Sequence, residues 1–305
     1  MRVIHLSLFF TVVLFSAISC GEKSTPENNL DKAIRLKGSE SEMPLLTHFA
    51  ENWEKQNIGY NIWLSGGGTA TGIEALIAGD AEIANASRLI KDEEAARANA
   101  AGLSLGQVVI ARDALAIITG PGVSVDSLSI PQLTDLLSGK TKNWKEIGGP
   151  NIPVTVIGRK KTSGTYQFLL DVLHINSFAS DNREFARNDE IREAVRNTKG
   201  AIGYVNMGSL VEADGKPYKY VWVMSLYIDG DKAWSPYNQE AVKSGDYPLT
   251  RPLYQYFRSP CSASVKEYLR FELSNVQQSR LSEFGYFPLT PFDKSQNKES
   301  SVWKD

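Results

Sequence analysis

Three times in this chain a strand-like apolar run breaks at a short cluster of Gly, Ser and Thr and resumes at helical spacing. The first break is Gly38–Ser39–Glu40–Ser41, which lies between a strand candidate at 33–37 and Leu46, Phe49, Ala50 and Trp53 at i, i+3, i+4 and i+7. The second is GGGTATG at 66–72, between the alternating Ile58, Tyr60, Ile62, Leu64 and the helically spaced Ile73, Leu76, Ile77. The third is Thr162–Ser163–Gly164–Thr165, between a strand at 154–157 and Tyr166, Leu169, Leu170 and Leu173 on one helical face. Strands alternating with helices predict α/β architecture with mainly parallel sheets. The 305 residues hold more such elements than one sheet of ordinary size accommodates, so the expectation is two lobes.

Each break can be read in two ways. The first N–H groups of a helix are unpaired and its aligned peptide dipoles place roughly half a positive charge there, so a helix start is an anion site. Ser and Thr are equally the preferred N-caps of any helix, with no ligand involved. Glycine admits close backbone approach and the hydroxyls donate hydrogen bonds, and Arg159 stands beside the third break as a bidentate partner for a tetrahedral oxyanion. Lys160 and Lys161 read as a solvated shoulder. With 33 Lys+Arg against 35 Asp+Glu the net charge is −2, which gives no field to draw nucleic acid, so any anion site is local.

Competing chemistries lack their residues. GGGTATG has no Lys–Ser/Thr pair of a phosphate-binding P-loop, and Thr71 occupies the third glycine position of a dinucleotide fingerprint. There is no G-x-S-x-G, no H-E-x-x-H and no cysteine pair at metal spacing, so neither metal nor cofactor is expected. Of the three histidines, His5 lies in the leader and His48 in an amphipathic helix, where a structural role is expected.

The ends differ from the body. Arg2, an apolar run from Leu6 to Ile18 and small residues near its end form a signal peptide over 1–19. AISC before Cys20 resembles the lipobox of bacterial lipoproteins, with Ala17 where Leu is usual; the alternative is a disulfide between Cys20 and Cys261. Residues 20–33 read as a polar tether and 293–305 as a polar, frayed tail.

KGSES, GGGTATGIEALIAGDAEIANASR, DALAIIT, LLSGKTKNWKEIGGPNIPV, R-x-x-x-SGTY, KGAIGYV, YPLTRPLY and FGYFPL, spread from Ile34 to Leu289, together resemble the phosphate-binding proteins of bacterial phosphate ABC transporters, a branch of the type II periplasmic solute-binding proteins. The resemblance implies two α/β lobes, 34–115 with 226–292 and 116–225, joined by crossovers near 112–120 and 219–228. It implies dehydrated phosphate held in the cleft and offered to a permease; the leader and Cys20 add export and a lipid anchor, and a monomer is expected. Its binding positions fall on Ser41, on Thr69, on Ser87, and on Arg159, Ser163, Gly164 and Thr165, and Ser39 and Glu40 of the first loop are candidates beside them. Some relatives carry aspartate where Ser87 stands, and that carboxylate accepts the proton of hydrogen phosphate; Glu40 is the candidate to replace it here, the alternative being a cap that favours the helix dipole. A binder of sulfate, molybdate or tungstate, and less so a hydrolase or adhesin, are the alternatives.

Overall fold

The computed structural model describes residues 33–212, 215–228, 230 and 232–303, so the signal peptide, Cys20 and the tether to Lys32 lie outside it. The first part of the chain runs β1 (Ala33–Gly38), α1 (Met43–Gln56), β2 (Asn61–Ser65), α2 (Thr69–Ala78), β3 (Ile83–Ala86), α3 (Asp92–Ala100) and the long β4 (Leu105–Thr119). It continues with β5 (Ser127–Ser129), α4 (Ile130–Leu137), β6 (Thr155–Arg159), α5 (Gly164–Leu173), β7 (Arg183–Phe185), α6 (Asn188–Arg196) and β8 (Ala201–Asn206). The last part is β9 (Trp222–Val223), β10 (Ser225–Tyr227), α7 (Gln239–Ser244), β11 (Thr250–Arg258), α8 (Ala263–Glu272), α9 (Asn275–Gln278) and α10 (Pro291–Glu299).

The main sheet has the order β2-β1-β3-β11-β4-β8-β6-β7, with β1–β2, β1–β3, β6–β7 and β6–β8 parallel and β11 and β4 antiparallel to their neighbours. β4 belongs to both halves. Its first part pairs with β11 as far as Ala114↔Thr250, and from Leu115↔Asn206 onward it pairs with β8. The sequence QVVIARDALAIIT suits that role, because a strand covered on both faces needs a continuous apolar run rather than alternation.

Two cores result. One side of the first half-sheet buries Ile34, Leu36, Phe49, Ile83, Ile110 and Phe257, and its other side buries Ile73, Leu76, Ala84, Val109 and Tyr256. The second half is built on Ile117, Leu136, Trp144, Leu169 and Ile202. Each fully buried aliphatic or aromatic side chain of this kind contributes about 1.5–3 kcal/mol.

β4 changes partner between Ala114 and Leu115, but the return does not lie near 219–228. VWVMSLYI does not cross: β9 pairs with the far end of β4, β10 pairs with β5, and Leu226, Ala241, Val242, Tyr247 and Leu249 join the second core. The chain returns at Leu249–Thr250, where Leu115 N–H donates to Leu249 O at 2.9 Å and Thr250 takes up the pairing with β4. The segment 226–249 therefore packs with the second lobe. An alternating run shows that a strand exists but not which edge it joins, and here two short strands occupy edges of the second half.

The C-terminal stretch expected to fray forms α10 instead. Thr290 and Asp293 make a reciprocal cap, buried Asp293 pairs with Arg112 at 2.8 Å, and Asn297 satisfies both N–H and C=O of Val109 at 2.8 Å each. Val302 is fully buried beside the first core.

Candidate functional site

The three Gly/Ser/Thr breaks meet where the two halves touch, and in each a glycine stands where a Cβ would collide with a neighbour. At Gly38, with φ of 141°, a Cβ would stand 2.2 Å from Asn85 O, so the loop after β1 lies directly on β3, and Ser39 N–H donates to that same oxygen at 2.9 Å. α1 begins only at Met43, which leaves 39–42 as a separate turn that aims Ser41 inward. Gly68 caps α2 at φ 97°, and Thr69, its first residue, accepts a hydrogen bond from Ser87 N–H at 3.1 Å. Ser163 is the N-cap of α5 and accepts from Thr165 N–H at 3.1 Å, so the capping reading applies to that residue whatever else it does.

The two halves meet at these loops. Ser41 Oγ lies 3.0 Å from Thr165 Oγ1, and Ala70 N–H donates to Thr162 O at 3.2 Å. The N-terminus of α5 approaches so closely that a Cβ on Gly164 would sit 2.3 Å from Thr69 Oγ1 and 2.6 Å from Ser87 Oγ. Ser39, Ser41, Thr69, Ser87, Arg159, Ser163 and Thr165 are all buried, while Lys160 and Lys161 are exposed.

Among the described residues, the buried Arg159 Nε and the buried Ser87 hydroxyl have no hydrogen-bond partner. Arg159 is held through its backbone N–H, which donates to Tyr204 OH at 3.0 Å, and through Nη1, which donates to Asn188 Oδ1 at 3.0 Å. Burial pulls its guanidinium down to about 10, and the charge of Glu40 works in the opposite sense. A buried guanidinium with an unspent N–H is costly unless an anion completes it.

Glu40 is only partly buried, and its Oε1 accepts from Gly67 N–H at 2.9 Å, clamping the first loop to the second. The sequence reading missed four further residues. Arg251, at the start of β11, donates Nη2 to Ser41 Oγ at 2.9 Å and Nη1 to Ser87 O at 3.2 Å, and is paired with Asp113 at 2.9 Å. Burial raises Asp113 to about 6 against the pull of Arg251. Asn188 and Asn206 complete the set. Arg251 and Asp113 had a visible signal, a charge inside each of two apolar runs where the chain crosses between halves.

Hydroxyls, helix-start N–H groups and one guanidinium can replace the hydration of a tetrahedral oxyanion. His48 is engaged with Asn52 at 2.8 Å and with the Phe284 ring at a centroid distance of 4.2 Å, so it is committed within the first half.

A family model described as a PBP superfamily domain matches residues 23–276. Among curated relatives, the phosphate-binding protein PstS of Bacillus subtilis is 28% identical over 302 residues, covering 93% of each chain. That of Borreliella burgdorferi is 26% identical over 265 residues, covering 84% of this chain and 90% of its own. Among solved structures, a phosphate ABC transporter substrate-binding protein of Clostridium perfringens with bound phosphate is 26% identical with a TM-score of 0.74, covering 85% of this chain and all of the other. A phosphate transport receptor of Vibrio cholerae, 24% identical with a TM-score of 0.66, covers 84% of this chain and all of its own and shares the fold.

Proposed function

The chain belongs to the PBP superfamily, and from that premise we propose that it captures inorganic phosphate between its lobes and delivers it to an ABC-type membrane permease. The observation that carries this reading is the pair of buried donors left without a partner among the described residues: Ser87 Oγ, where the Gly164 end of α5 meets Thr69, and Arg159 Nε on the strand that leads into α5. In support, the relatives above are named for phosphate binding and the Clostridium perfringens structure holds phosphate.

In this account the anion is held by Ser39, Ser41, Thr69, Ser87, Arg159, Ser163, Gly164 and Thr165. Phosphate brings the two lobes together about the paired crossovers at 114–115 and 249–250, with 34–114 and 250–302 as one lobe and 115–249 as the other. Hydrogen phosphate carries a proton that sulfate lacks. Glu40 Oε1 is taken by Gly67 N–H, which leaves Oε2 as the oxygen that accepts that proton and sets the anion preference. The protein acts by binding, without chemical turnover, as a monomer exported and tethered through lipid on Cys20. Cys20→Ser moves it from the membrane fraction to the soluble one, and retention in the membrane fraction would contradict the anchor.

Titration calorimetry of the protein lacking residues 1–19 against phosphate, sulfate, arsenate and molybdate tests the main reading. A single saturable phosphate site with weak or no response to sulfate supports it. No heat with phosphate at micromolar concentration overturns it, and a preference for molybdate or sulfate assigns the protein to another oxyanion.

A further inference from the structure

Two buried asparagines join the halves of the site through bonds that no proposed phosphate contact uses. Asn188, the first residue of α6, accepts from Arg159 Nη1 at 3.0 Å and donates Nδ2 to Asn206 Oδ1 at 2.8 Å. Asn206, the last residue of β8, donates Nδ2 to the carbonyl of Ser41 at 3.0 Å. Ser209 Oγ also donates to Asn206 Oδ1, and Tyr286 OH donates to the same Ser41 carbonyl at 2.7 Å. Asn188 and Asn206 are 5% and 0% exposed.

The ends of this chain fix its direction. A guanidinium only donates and a carbonyl only accepts, so each amide between them has one orientation that satisfies both neighbours. The chain begins in the second lobe at Arg159 and ends in the first at Ser41. It therefore ties the aim of the cation to the position of the hydroxyl loop in the other half. A free arginine side chain loses rotamer entropy when it grips an anion; a guanidinium already held at Nη1, with Nε left open, has lost it beforehand.

We propose that Asn188 and Asn206 are positioning residues that hold Arg159 and Ser41 in register, so that one tetrahedral anion meets both at once. The proposal rests on the phosphate reading above. Its test is a mutant cycle: Asn188→Ala, Asn206→Ala, Arg159→Lys and the Asn188→Ala/Arg159→Lys double variant, each measured for phosphate Kd by equilibrium dialysis and for thermal unfolding. Asn206→Ala leaves the Ser41 carbonyl its bond from Tyr286, so that acceptor is not orphaned.

Each asparagine variant is expected to weaken phosphate binding by about tenfold. Asn188→Ala is expected to cost less than about threefold once Arg159 is lysine, because the group it positions is gone. A merely structural role gives the same loss in both backgrounds, and that result overturns the proposal, as does binding within about twofold of wild type in both single variants. If Asn206→Ala does not fold, the Asn188 cycle decides alone. A wild-type protein that takes no phosphate refutes the phosphate reading; wild-type binding with unaffected variants refutes only this inference.

Discussion

Replacing Gly164 by alanine separates the site from the fold. The backbone at Gly164 is ordinary helix, without a positive φ, and alanine is the better helix former, so the substitution does not strain α5. Its added methyl, however, would lie 2.3 Å from Thr69 Oγ1 and 2.6 Å from Ser87 Oγ, both shorter than carbon and oxygen tolerate. Thr69 is held by Ser87 N–H, so the two hydroxyls move together, and the α5 end must withdraw from them. An anion seated on α5 then loses two hydrogen bonds to a charged group at about 1.5–3 kcal/mol each. The sum, about 3–6 kcal/mol, corresponds to a rise in phosphate Kd of roughly 10²- to 10⁴-fold, with the melting temperature unchanged or slightly raised. Calorimetric titration beside thermal unfolding reads both quantities. Gly72→Ala is the control: its methyl would meet Lys37 O at 2.3 Å and Gly38 Cα at 2.7 Å, backbone against backbone within one lobe, so it lowers the melting temperature. Phosphate affinity within about threefold of wild type in Gly164→Ala would refute the placement of the anion at the α5 start.

Three further outcomes follow from the same coordinates. Arg159→Met removes the buried cation and is expected to weaken phosphate binding at least about thirtyfold; unchanged affinity by dialysis contradicts its role. Glu40→Gln keeps an acceptor for Gly67 N–H but cannot take a proton, so phosphate affinity falls and the preference over sulfate narrows; survival of both in competition titrations removes Glu40 as the discriminator. Glu272 is pushed up to about 8 by burial, so between pH 4.5 and 8 the folded state binds more protons than the unfolded one and stability falls as pH rises, by at most about 1.4 kcal/mol per unit. Urea unfolding of Glu272→Gln is expected to lack that component, and parallel pH slopes in variant and wild type contradict it.

Much of the site was legible because its chemistry is local. Gly38 and Gly68 are demanded by close backbone approach and Gly164 by the Thr69 and Ser87 hydroxyls, and the hydroxyls beside them mark the helix starts, so the loops announce themselves in short windows of sequence. Arg251 was visible only as a charge inside an apolar strand, which has no assigned partner until β11 is laid against β4 and Asp113. Asn188 and Asn206 lacked even that signal: a neutral amide at the start of a helix or the end of a strand reads as a cap or a turn, and only the meeting of two lobes gives it a network. The second crossover was misplaced for a related reason. VWVMSLYI and LTRPLYQYFR are both strand-like, and which one returns to the first lobe depends on edge pairing that neither segment encodes alone. The C-terminal helix did carry a signal, the Thr290–Asp293 cap, but with few apolar residues behind it the pattern read as tail.

The most direct test is a crystal structure of the protein grown with phosphate. A tetrahedral ion is predicted between the Gly164 end of α5 and Thr69, within hydrogen-bond distance of Arg159 Nε, Ser87 Oγ and Ser41 Oγ, with Asn188 still bonded to Arg159. Phosphate bound elsewhere, or this cluster closed on itself with no ion at saturating phosphate, would contradict the account.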